Sequence, residues 1–343
     1  MAKRYASCFL CVFASIAVTS LFLRAEAAAA LAAPPAVYIF GDSTLDVGTN
    51  DFIPGCLARA DFYFNGIDFP HSRPTGRFSN GLNTADQIES AAISIPCQRS
   101  INFPGENSAG CQLCLWRIQY LNYTGQVKRA ISLEDQIKQF SAISSNITNM
   151  TGSEEATDMI LSKAFFLISI GSNDILEYLL NPTPPMSVLE FNATLISTYA
   201  FNRSPIGCTP FARAVFTGIN SCFEPAQELA LEFSLSMMIV LDNFSSQVQD
   251  MKYSMANTFL MTSFFMGDML AFGFKNIAAA CCGNGTYDCN QMASFCLNPD
   301  EYLFWDRFHP TQRASELAAL TLFGASEPLV APMNFSRLLG VNI

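Results

Sequence analysis

Ala36-Val-Tyr-Ile-Phe-Gly-Asp-Ser-Thr-Leu-Asp46 reads as a buried strand that runs straight into a polar turn. Ala36 to Phe40 is short, almost wholly apolar and rich in β-branched and aromatic residues, the pattern of a strand covered on both faces. Gly41 ends it, and Asp42 and Ser43 follow at once. A serine at the carboxyl end of such a strand sits at the edge of an open α/β sheet where ligands bind. The competing reading is a capped turn, since Asp and Ser both close turns and start helices.

The rest of the chain sharpens that choice. With a leader removed, the 343 residues still suffice for one large α/β domain or two small ones. Half of the residues are hydrophobic and 14% are charged, which excludes a disordered chain. A net charge of −10 with no basic run argues against nucleic acid or anionic lipid headgroups as partners. Lys3 and Arg4, the apolar run Ala6 to Leu23 and the small-x-small site Ala25-Glu26-Ala27 predict a signal peptide over 1–27. A retained anchor is the alternative. No later stretch is a clear membrane span, so no stable membrane insertion is expected after cleavage. Twelve cysteines fit an oxidising compartment. So do eight Asn-x-Ser/Thr acceptors, at Asn122, Asn146, Asn149, Asn192, Asn202, Asn243, Asn284 and Asn334, which predict a secreted glycoprotein.

Residues 47–81 form a long loop. Helices are expected over 84–92 with Thr84 as N-cap, and over 132–144 with Asp135 completing a capping box begun by Ser132. A second buried strand, Ala164 to Ile170, ends on Gly171 before Ser172-Asn173-Asp174. Two buried strands each ending in a Gly-plus-polar turn predict a parallel sheet with one functional edge. A long helix over 224–251, a strand over 257–265, a cysteine-dense loop over 280–296 and a closing helix over 312–323 follow. Residues 93–121 give no clear period, because Pro, Cys and Gly interrupt every one.

Two histidines, His71 and His309, narrow any general-base assignment. His71 lies in a polar loop with no paired acid and reads as a surface residue. Asp306 precedes His309 by three residues, close enough to fold its carboxylate back onto the imidazole. That pairing fixes the ring tautomer and stabilises the imidazolium formed when His takes a proton from serine. The alternative is a turn in which Asp306 only caps backbone N–H groups. No Gly-x-Ser-x-Gly elbow is present, which argues against the α/β-hydrolase arrangement. Cys281, Cys282, Cys289 and Cys296 lack zinc-ribbon spacing and read as disulfide partners in a secreted chain, with Cys208 and Cys222 a second pairing by proximity. Clustered metal ligands and a phosphate-cradling glycine loop are absent from the sequence.

Six blocks then occur in order: Phe40-Gly-Asp-Ser-Thr-Leu-Asp46, Pro74-Thr-Gly-Arg-Phe-Ser-Asn-Gly81, Ile170-Gly-Ser-Asn-Asp174, Pro205-Ile-Gly-Cys208, Cys281-Cys-Gly283 and Phe304-Trp-Asp-x-x-His-Pro-Thr311. Together they resemble the plant GDSL esterase/lipases of the SGNH hydrolase superfamily. The resemblance implies a flavodoxin-like three-layer α/β/α sandwich with a parallel sheet, as one hydrolase domain over 34–343. It also implies a secreted enzyme that cleaves small-molecule or lipid esters without a cofactor. Carried over, Ser43 is the nucleophile, His309 the base and Asp306 its orienting acid. Asn173 and the Ser43 N–H donate to the oxyanion, and Gly105 is the best match for the remaining donor.

The sequence departs from that pattern in two places. The family's Gly-x-Asn-Phe-Ala-Ser-Gly-Gly-x-Gly block is replaced by Ser100-Ile-Asn-Phe-Pro-Gly-Glu-Asn-Ser-Ala-Gly110, where Glu106 stands in for the glycine in an ungapped alignment. The nearby Cys111-Gln-Leu-Cys-Leu-Trp-Arg-Ile-Gln119 can be encoded by TGC CAA CTT TGC CTC TGG AGG ATC CAG. Read one nucleotide later, those codons give Ala-Asn-Phe-Ala-Ser-Gly-Gly-Ser, the missing block. Between Ala200 and Ser204 the family's helix and buried strand before Pro-x-Gly-Cys are also missing, so one strand and helix of the sandwich are expected to be lacking. Both gaps predict a mis-spliced or variant transcript. They keep a second reading open, a catalytically impaired GDSL-like protein that at most binds acyl or glycan ligands.

Overall fold

The apolar run after Ala36 becomes strand β1, Val37–Gly41, and every residue in it is buried. Alternation along β1 feeds two different cores. Val37 and Ile39 pack with Ala85, Ile88, Ala319, Leu322, Phe323 and Phe335 on one face. Tyr38 and Phe40 pack with Leu133, Phe140, Ile143 and Leu161 on the other. A strand with helices on both sides is the middle layer of a three-layer α/β/α arrangement.

These contacts come from a computed structural model that describes residues 36–93, 113–115, 132–191, 194, 206–218 and 221–340. All of them belong to one unit, made of Ala36–Ser94 and Cys111–Ile343. Strands β1, β2 (Leu113–Leu115) and β3 (Phe165–Ser169) form a three-stranded parallel sheet in the order β2-β1-β3. Ile39 stands opposite Cys114 on one side and Leu167 on the other. Part of the stretch that gave no period therefore occupies a sheet position beside β1. Gly105 and residues 195–205, where the absent glycine block and the absent crossover were expected to show, lie outside the described residues. Among the described residues, no helix is long and apolar enough to cross a membrane.

Helix α1, Thr84–Ile93, starts where expected, but its cap is one residue earlier. Asn83 Oδ1 accepts from the Asp86 N–H at 3.2 Å, and Asp86 Oδ2 accepts from the Asn83 N–H at 2.8 Å. This reciprocal pair is a capping box built on Asn and Asp. Helix α2, Leu133–Thr151, has the expected Ser132 cap but runs seven residues past the expected end at Ser144. In its serine- and threonine-rich second half Ser141, Ser145 and Thr148 each bond back to the carbonyl four residues earlier. A further helix, α3 (Glu154–Leu161), follows under a Ser153 cap.

Helix α4 is Ser172–Leu180 and helix α5 is Glu224–Gln247. The α5 helix ends four residues before the expected limit. The strand expected over 257–265 is instead helix α6, Thr258–Gly267. Asn257 caps it by accepting from the Leu260 N–H at 3.0 Å, and its two buried residues, Met261 and Phe265, are spaced by one helical turn. A short apolar run carries no period that separates strand from helix, so the cap decides. Two small sheets complete the frame. Met255–Ala256 (β4) pairs with Val330–Ala331 (β7), and Asn276–Ala280 (β5) pairs in parallel with Tyr302–Phe304 (β6). Helix α7, Gln312–Gly324, forms where a closing helix was expected and is capped by Thr311, and Phe335–Leu339 (α8) closes the described chain. Cysteine pairs 208–222, 281–296 and 282–289 are disulfides.

Candidate active site

Strand β1 delivers Ser43 to the sheet edge through a tight turn. The Leu45 N–H donates to the Asp42 carbonyl at 3.0 Å, and the Asp42 carboxylate accepts from the Thr44 N–H at 3.0 Å and from the Thr44 hydroxyl at 2.6 Å. Asp42 thus holds the turn, which leaves the Ser43 side chain to point elsewhere. Its Oγ lies 2.7 Å from His309 Nε2, across 266 residues of sequence. His309 Nδ1 lies 2.7 Å from Asp306 Oδ2. All three side chains are buried.

The two readings of Asp306 turn out to be compatible. Its Oδ1 accepts from the backbone N–H groups of Phe308 and His309, each at 2.8 Å, while both oxygens approach the imidazole. The same carboxylate shapes the turn and meets the ring. Burial alone pushes the Asp306 carboxyl up. The His309 imidazole and the two backbone donors outweigh that and hold it below the usual carboxylate range.

The turn is anchored from both ends. The Trp305 N–H donates to the His309 carbonyl at 2.8 Å, and the fully buried Trp305 indole N–H donates to Asn65 Oδ1 at 2.9 Å. Beyond His309, the Gln312 N–H donates to Asn80 Oδ1 at 2.8 Å and Gln312 Oε1 accepts from the Leu82 N–H at 2.7 Å. The Pro74–Gly81 block is thereby tied to the first turn of α7. Within that block Phe78 stacks on the His309 ring, with centroids 4.7 Å apart. Arg77 makes a bidentate pair with Asp86, both contacts at 2.7 Å, and also donates to the Val47 carbonyl. It locks the loop that follows β1 onto α1.

Asn173 reaches the site from beyond the carboxyl end of β3, on the same edge of the sheet as Ser43. Gly171 caps α4 with φ 97°, and a Cβ there would come within 3.1 Å of the Phe233 ring. Only glycine fits both demands. A cavity of about 360 Å³ opens over the site, and Ser43, Asn173, Asp306 and His309 all line it. Leu57, Phe62, Phe78, Leu176, Ile206 and Phe308 give it an apolar wall.

Four of the five residues singled out from the sequence therefore converge, and Gly105 lies outside the described residues. His71 is exposed and stands apart from the cavity lining, as expected for a surface residue. Sequence reasoning missed Asn65 and Phe78. Phe78 sat inside a block already noted, whereas Asn65 carried no local signal at all.

Unrelated folds that cleave esters and amides share a hydroxyl bonded to an imidazole that is bonded to a buried carboxylate. Here that arrangement stands at the carboxyl edge of a parallel sheet. Comparison with known proteins gives the family: the sequence model for the GDSL-like lipase/acylhydrolases matches residues 37–322. The chain belongs to that family and is, at that level, a carboxylic ester hydrolase. It is 32% identical over 331 residues to GDSL esterase/lipase LTL1 of Arabidopsis thaliana, covering 88% of this chain and 90% of that protein. It is 30% identical over 336 residues to GDSL esterase/lipase At4g28780 of the same plant, covering 90% and 91%.

Proposed function

We propose that the protein is a secreted serine esterase that works through an acyl-enzyme. Ser43 Oγ attacks the ester carbonyl while His309 Nε2 takes its proton. Asp306 holds the imidazole by Nδ1 and stabilises the imidazolium. The tetrahedral oxyanion is met by the Asn173 side-chain amide and the Ser43 N–H. His309 returns the proton to the leaving alcohol, and water, activated by the same ring, releases the acid. Gly105 is proposed as a further donor. The observation that carries this reading is the unbroken chain from Asp306 through His309 to Ser43, with 2.7 Å at each link, opening on one cavity.

The apolar wall suits an acyl chain, so the substrates proposed are lipid esters or acylated small molecules. The binding-only alternative is not favoured by the family match. Secretion rests on the leader over 1–27 and on the disulfides. Four of the glycan acceptors, Asn146, Asn149, Asn243 and Asn284, are exposed and accessible to glycosylation. The test is hydrolysis of p-nitrophenyl butanoate by the mature chain and by Ser43→Ala. Loss of a nucleophile of this kind costs on the order of 10⁴–10⁶ in kcat. Folded protein whose turnover is the same with and without Ser43 would end the proposal.

A further inference from the structure

Arg307 occupies one of the two positions between Asp306 and His309 to which the hydrolase reading gives no role. Its guanidinium leaves the turn and reaches the loop closed by the Cys282–Cys289 disulfide. Arg307 Nε donates to Asp288 Oδ1 at 2.6 Å and Nη1 donates to the Thr286 carbonyl at 3.1 Å. The guanidinium also lies over two rings, 4.7 Å from the Phe308 centroid and 5.3 Å from that of Phe211. The Arg307 carbonyl accepts from the Phe211 N–H at 3.1 Å. One side chain therefore joins the His309 turn, the helical segment at 210–212 and the middle of the 282–289 loop.

Phe308, Asp288, Cys289 and Asn290 all line the cavity over Ser43. The base of the loop is already fixed, by its disulfide and by the Cys282 N–H donating to the Trp305 carbonyl at 2.6 Å. Arg307 fixes its middle. We propose that Arg307 is a specificity-determining positioning residue, which holds the Phe308 and Asp288–Asn290 wall and so limits the length of acyl chain the cavity accepts. The inference rests on the hydrolase reading of this cavity. Arginine suits the task because its planar fork donates in two directions while its face stacks on aromatic rings, which a lysine ammonium cannot do at once. The ion pair is asymmetric in exposure, with side chains 16% exposed for Arg307 and 61% for Asp288. Its energetic weight is therefore modest, and its effect is on shape more than on stability.

The experiment compares kcat and KM for p-nitrophenyl esters from acetate to dodecanoate in the wild type, Arg307→Met, Arg307→Lys and Asp288→Ala. In Arg307→Met the kcat/KM ratio between the best ester and the dodecanoate is expected to fall about fivefold, the scale an ion pair of this exposure commands. The change should come through KM of the longer esters. Arg307→Lys should fall between Met and wild type, and Asp288→Ala should follow Met in direction. Should Arg307→Met fail to fold, Asp288→Ala removes the pair from its exposed end and carries the same reading. A uniform loss across all chain lengths, or an unchanged profile, would overturn the inference while leaving the hydrolase intact. A wild type without Ser43-dependent turnover would take down both.

Discussion

Two buried aspartates, Asp46 and Asp306, build nearly the same turn and end in opposite electrostatic states. Asp46 Oδ1 accepts from the N–H groups of Gly48 and Thr49 at 2.9 and 2.8 Å. Asp306 Oδ1 accepts from the N–H groups two and three residues on, at 2.8 Å each. The second oxygen separates them. Asp306 Oδ2 meets the His309 ring, whereas Asp46 Oδ2 has no hydrogen-bond partner among the described residues. Burial raises the Asp46 carboxyl, and its backbone donors and Arg77 only partly offset that. The Asp306 carboxyl is held low. A shared turn fixes the backbone in both places. What the free oxygen finds decides whether the residue stores a charge or resists one.

Replacing each by Asn probes that difference. Asp306→Asn keeps an acceptor for the turn but removes the charge beside the proposed base. The expected loss in kcat on p-nitrophenyl butanoate is about 10³–10⁴, with the far-UV spectrum retained. Asp46→Asn should cost far less in rate, and a comparable loss in both would dissolve the contrast. Its signature is in stability instead. With its carboxyl raised, the folded state holds a proton that the unfolded chain has already released. The contribution of Asp46 to stability is then full below pH 3.8 and is lost as pH rises through the raised folded value. Urea midpoints measured from pH 4 to pH 8 should show a shallower fall for Asp46→Asn than for the wild type. Asp306 has the opposite sign, stabilising above the ordinary value and losing that stabilisation as pH drops through its lowered one.

Glu89 offers the smallest effect and the sharpest window. Burial first and the Asp86 charge second push its carboxyl from 4.5 up to about 7, against the pull of Arg77. Its contribution to stability should therefore decline between those two values as pH rises. Glu89→Gln should flatten the urea-midpoint profile over that window alone. An unchanged slope there would show that solvent reaches the group more freely than its half-buried place on α1 implies.

Much of the site was legible because its parts are local. Ala36 to Asp46 states a buried strand, its stop and a serine within eleven residues, and Asp306 with His309 states a turn and its passenger within four. Strand β1 was legible for the same reason, since it is buried throughout and ends on Gly41. Strand β3 formed where a second buried strand was expected, but it stands at the edge of the described sheet, with Phe165 buried and Phe166 exposed. The 257–265 run failed because its apolar residues are too few and too crowded to separate a strand from a helix, leaving Asn257 as the discriminating letter. Helix α2 outran its expected end although it is rich in serine and threonine there; those side chains bond within their own helix instead of forming turns, which composition does not announce. Asn65 beneath Trp305, and Arg307 across from Asp288, depend on partners 240 and 19 residues away. Nothing in their immediate sequence marks them.

The bond between Ser43 and His309 spans 266 residues, and the Asn80, Leu82 and Gln312 brace spans some 230. Closing loops of that length comes late in folding, after local helices and turns are in place. Synthesis imposes the same order: the serine leaves the ribosome long before the histidine, and any fragment ending ahead of Trp305 carries a hydroxyl with nothing to deprotonate it. In the proposed mechanism, a chain threading across a lipid bilayer would thus travel past a sea of esters unarmed. It would become reactive only when its last forty residues fold back onto its beginning.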